Sequence, residues 1–134
     1  VDEAEANSIG GEAANTANKW ITITVKKGIT EDQAWKRIMS VVTDNFENVE
    51  MKDKSAGLIR TAWVEQDFGG TVIVRTRLEI KPDYSQDDNG YQIKLSSEIK
   101  WSGNTNEGYE KYDRVLKKYQ NVINDLQTRI GGGE

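Results

Sequence analysis

The sequence contains no histidine, no cysteine and a single proline. The first two absences remove Ser-His-Asp and Cys-His nucleophile chemistry, the usual nitrogen and sulfur zinc sites, iron-sulfur ligation and disulfides in one step. Any catalysis would have to run on Asp, Glu, Lys, Tyr, Ser or Thr, and no motif places two such groups as acid and base. The chain is therefore read as a non-enzyme with no cofactor and no metal. No apolar run approaches the roughly 20 residues that a membrane-spanning helix requires.

Basic excess is also missing. The formal net charge is -4, from 18 Lys and Arg against 22 Asp and Glu. Asp2, Glu3, Glu5 and Glu12 fall in residues 1–18, which hold no base, so residues 19–134 carry 18 acids and 18 bases. A neutral body without a clustered basic surplus argues against a nucleic-acid partner. Residues 1–18 are small, polar and acidic, with Val1 and Ile9 as the only sizeable apolar side chains. Such a stretch buries too little surface to offset its ordering entropy, and it reads as a disordered acidic tether leading into one domain over residues 19–134.

What is present is patterned. Ile21, Ile23 and Val25 alternate with Thr22 and Thr24, the period of a strand with one buried side. Thr30 and Gln33 match the S/T-x-x-E/Q capping box, and Ala34, Trp35, Ile38, Met39, Val41, Val42 and Phe46 follow at three- and four-residue steps, predicting a helix over 31–46. "NVEMKD" reads as a short strand. "LIRTAWVEQDF" and "TVIVRTRLEI" flank Gly69-Gly70, which predicts a hairpin with a two-residue turn. That register sets Ile59 against Ile80, Thr61 against Leu78 and Trp63 against Thr76.

Tyr91, Ile93, Leu95, Ile99 and Trp101 alternate with polar residues and predict one more strand, with Arg75 opposite Glu98 and Glu79 opposite Lys94. Tyr109, Tyr112, Leu116, Tyr119, Ile123, Leu126 and Ile130 then recur at helical steps, predicting a closing helix over about 107–130, supported by Glu110 with Arg114 and Asp113 with Lys117. Asp83, Asp87 and Asp88 lack the spacing of a calcium loop and read as turn formers.

The predicted fold is α+β, in the order β-α-β-β-β-β-α, with an antiparallel sheet of about five strands and both helices packed on one face. Parity then sends Arg60, Ala62, Val64, Phe68, Ile73, Arg75 and Arg77 to the open face, an apolar centre with an arginine border of the kind found at protein interfaces. Trp35, Trp63 and Trp101 fall on inward positions. A cavity under the closing helix would instead make Trp63, Trp101, Tyr112 and Tyr119 the lining of a small apolar ligand site.

"ITEDQAW" at the helix entry and the strand G-L-I-x-T-x-W, carried by Gly57, Leu58, Ile59, Thr61 and Trp63, add a resemblance. Over residues 19–130 the chain resembles the repeated globular domain of the BamC lipoprotein, from the outer-membrane barrel assembly machinery, and related envelope lipoprotein domains. The resemblance implies a helix-grip-like fold, a place in the bacterial envelope on the periplasmic side, and a scaffolding or binding role without catalysis. It implies an envelope protein as partner and membrane contact only through an N-terminal lipid anchor that this chain does not contain; the chain is expected to be a monomer.

Overall fold

Among the described residues, alternation and capping signals become seven strands and two helices. The computed structural model describes residues 17–83, 90–101 and 108–131. In chain order these give β1 (Ile21–Thr24), α1 (Glu31–Asn45), β2 (Val49–Asp53), β3 (Leu58–Thr61), β4 (Val64–Phe68), β5 (Val72–Pro82), β6 (Gly90–Trp101), β7 (Glu110–Lys111) and α2 (Lys117–Ile130). They form one antiparallel sheet in the order β1-β6-β5-β3-β2, with β4 also on β5 and β7 also on β6.

The capping box forms as the sequence predicts. Gln33 N–H donates to Thr30 Oγ1 at 3.1 Å, and Thr30 N–H donates to Gln33 Oε1 at 3.0 Å. The helix they start buries Ala34, Trp35, Ile38, Val41 and Val42. Fully burying a Val or Ile side chain such as Ile38, Val41 or Val42 stabilises by about 1.5–3 kcal/mol. α2 buries Tyr119, Val122, Leu126 and Ile130 in the same cluster as Ile59, Val74, Leu78, Ile80, Ile93 and Leu95 of the sheet. Phe46 stacks on Tyr119 with ring centroids 5.1 Å apart, which ties the end of α1 to the start of α2. Both helices thus share the core face, and Arg75, Arg77, Glu79, Lys94, Ser96 and Glu98, at the alternate positions, form the other.

Seven strands replace the expected five or so for two reasons. The predicted strand 58–68 is broken by a bulge: Arg60 faces Glu79 but Val64 faces Thr76, so three residues oppose two. Thr61 fills the gap, its Oγ1 accepting from Leu78 N–H at 2.9 Å, while Ala62 N–H turns to Asn48 O at 2.9 Å. The hairpin also closes through three residues and not two, with Phe68 opposite Val72. Gly69 and Gly70 both take positive φ, 68° and 74°, and Asp67 Oδ1 accepts from Gly70 N–H at 2.7 Å.

The second reason lies before α2, which starts at Lys117 and not near 107. Tyr109, Tyr112 and the pairs Glu110–Arg114 and Asp113–Lys117 begin off the helix. β6 is 12 residues long, and β1 covers only its first four residues on that edge. The rest of the edge needs hydrogen-bond partners. β7 supplies them at Glu98 and Ile99, and Tyr112 N–H donates to Ser97 O at 2.9 Å.

The last two residues of the acidic stretch are part of this edge. Ala17 is buried and bridges Leu95 in parallel, and Asn18 N–H donates to Leu95 O at 2.8 Å. The domain therefore includes Ala17 and Asn18; residues 1–16 of the predicted tether lie outside the described residues.

Candidate functional site

The bulge decides which side chains reach the open face. It returns Val64 and Phe68 to the core side, opposite Thr76 and Val72, and Phe68 is buried. Of the seven residues assigned to that face by parity, Arg60, Ile73, Arg75 and Arg77 are there, Ala62 sits half-buried in the bulge, and Val64 and Phe68 are misplaced by the one-residue slip. The same slip turns Trp63 outward. Its ring lies 4.2 Å from the guanidinium carbon of Arg75 and 4.2 Å from that of Arg77.

Tyr109 reaches the same place from the far edge. Its hydroxyl donates to Glu65 Oε2 at 2.6 Å, and its ring lies 3.9 Å from the Arg75 guanidinium. Arg75 also donates through Nε and Nη2 to Glu98 Oε1, the predicted cross-strand partner. One guanidinium is thus held by two rings and a carboxylate, with little freedom left to lose on binding. Burial, followed by the Glu65 carboxylate, pushes the Tyr109 hydroxyl up to about 12.

A second cluster stands toward β1. Trp20, 39% exposed, packs against the ammonium groups of Lys81 at 4.3 Å and Lys94 at 4.9 Å. Lys94 faces Glu79, as the strand register predicted, at 3.7 Å. The signal for Trp20 was its parity with Thr22 and Thr24. Nothing in the sequence signalled Tyr109, because its helical spacing with Tyr112 and Leu116 pointed elsewhere.

The four residues of the predicted ligand site do not converge. Tyr119 is 1% exposed and fills the core against Phe46. Tyr112 is half-buried at the edge of β6, and burial raises its hydroxyl pKa. Trp101 is 57% exposed: parity gives it the core direction, but it ends the ladder opposite the half-buried Val72, where burial fails. Trp63 and Tyr119 do border an open cleft of about 470 Å³ between the end of α1, residues 62–65 and the first turn of α2. Asn45, Glu47, Asn48, Glu65 and Lys118 make its rim polar. Among the described residues no group of three or more acidic side chains is placed to hold a metal ion.

No protein-family model matches this chain, and no curated protein matches it.

Proposed function

We propose that the domain is a non-catalytic protein-binding or scaffolding module that receives its partner on the open face of the sheet. The observation that carries this reading is the placement of Trp63, Tyr109 and Trp20 on the face away from the core, each braced by Arg or Lys. Aromatic and arginine side chains dominate interface hot spots, because they offer large contact areas with few rotamers to freeze. The balanced pairs Arg60–Glu50, Arg75–Glu98 and Lys94–Glu79 supply a polar surround that sets register more than raw affinity.

The envelope location and the kinship with BamC-like lipoprotein domains belong to the same proposal. They rest on the helix-entry and strand motifs and on an element order that begins with a strand and a helix and closes with a helix. The second reading, a small apolar ligand, draws on the cleft beside Trp63 and Tyr119; its polar rim suits such a ligand less well than the open face suits a protein.

The test is site-specific photo-crosslinking in the native organism. A photoreactive residue at Ser96 or Ile73, on the open face, should give a discrete protein adduct, whereas one at Asp44 on the exposed side of α1 should not. Adducts of equal yield from both sides, or none from Ser96 and Ile73, would remove the reading.

A further inference from the structure

One half of the open face is electrostatically unbalanced. Among the described residues along the C-terminal part of β5 and its neighbours, Arg60, Arg77, Lys81 and Lys94 share the surface with two carboxylates, Glu50 and Glu79. Arg77 stands 3.9 Å from Glu50 and Lys94 stands 3.7 Å from Glu79, both beyond hydrogen-bond range. Lys81 makes no ion pair among the described residues. All three cations also rest against indole, Arg77 on Trp63 and both lysines on Trp20. Their charge is fixed in place, and none of the three donates a hydrogen bond from its side chain among the described residues, on a chain whose net charge is -4.

We propose that this half of the face binds an acidic, extended segment of a partner polypeptide, with its carboxylates on Arg77, Lys81 and Lys94 and its apolar groups against Trp20 and Trp63. The inference rests on the protein-binding reading above and adds the chemistry of the partner. Spacing favours an extended segment: residues 77 and 81 of one strand lie about 13 Å apart, the span of four residues of a second extended chain laid along it. Glu50 and Glu79, set among the cations, disfavour a continuous anionic surface such as a lipid headgroup layer. Carboxylates separated along a chain can avoid them.

The direct test is a fluorescence anisotropy titration of the full chain with a short labelled peptide of alternating Glu and Leu. Saturable binding that weakens as salt is raised is expected. Lys81→Glu should weaken it roughly tenfold, Lys36→Glu on the exposed side of α1 should leave it unchanged, and both should melt near the wild type. Trp20→Ala, which keeps every charge, should also weaken binding and so separates stacking from simple attraction.

The proposal is overturned if the peptide does not bind, if Lys81→Glu binds it like the wild type, or if a Lys-Leu peptide binds equally well. Binding to anionic phospholipid vesicles without binding to the acidic peptide would also overturn it. Should the peptide fail while Ser96 still yields its crosslink, the partner chemistry is wrong and the protein-binding reading stands; should both fail, both fall.

Discussion

Asn18 and Ser97 lie 79 positions apart in sequence and are joined by a 3.0 Å bond from Ser97 N–H to Asn18 Oδ1. Asn18 Nδ2 donates onward to Tyr112 O at 2.8 Å, so one side chain closes the gap between β1 and β7 along β6. Its φ of 60° is one that Asn tolerates better than most residues. Asn18→Ala should cost about 2 kcal/mol in urea unfolding, from two lost bonds and left-handed strain. Asn18→Gly, which removes only the bonds, should cost less. Equal costs would show that the backbone conformation contributes nothing.

Thr61 and Thr76 are both fully buried on the core side of the sheet, with opposite roles. Thr61 Oγ1 takes the Leu78 N–H that the bulge leaves unpaired, whereas Thr76 Oγ1 has no hydrogen-bond partner among the described residues. Thr61→Val should therefore destabilise by about 1–3 kcal/mol, because a buried donor loses its acceptor. Thr76→Val should be neutral or stabilising by up to about 1 kcal/mol. Denaturant midpoints of the two variants, measured side by side, check the contrast.

Trp63 and Val64 are neighbours with exchanged roles. Val64→Glu would bring a carboxylate to the core margin opposite Thr76 and should destabilise by roughly 1–2 kcal/mol. Trp63→Ala should lower stability by no more than about 1 kcal/mol, the scale of exposed cation–π contacts, while abolishing the Ser96 crosslink. A Val64→Glu protein as stable as the wild type would contradict the bulge.

The raised pKa of Tyr109 links stability to alkaline pH. Its hydroxyl, about 12 when folded against an ordinary value of 10, holds its proton more tightly in the folded chain. That contribution is complete below pH 10 and is lost as pH climbs toward 12. Over that window wild-type unfolding midpoints should fall more steeply than those of Tyr109→Phe. Glu65→Gln should move the Tyr109 titration, followed by tyrosinate absorbance, back toward 10.

Local signals account for much of the fold. Thr30 and Gln33 are three residues apart, so the sequence contains the whole of that cap, and the structure builds it. Alternation in β5 and β6 was long enough to set the register that pairs Arg75 with Glu98 and Glu79 with Lys94. The open-face site was less legible. Arg75 and Arg77 followed from parity, but Trp63 entered and Val64 and Phe68 left because of one extra residue, and a bulge in a strand rich in apolar residues leaves no mark on a period-two pattern.

The sequence by itself determined element type and facing wherever a repeat ran for several residues, since side-chain direction there depends only on backbone period. Tertiary structure decided the rest by a different rule, that every buried backbone group must find a partner. The unfilled edge of β6 drew Asn18 and residues 110–112 into the sheet and delayed α2 to Lys117, and the unpaired Leu78 N–H was met by Thr61 at the bulge that turns Trp63 outward. Such demands arise between segments far apart in the chain, so they become visible only once the chain is folded.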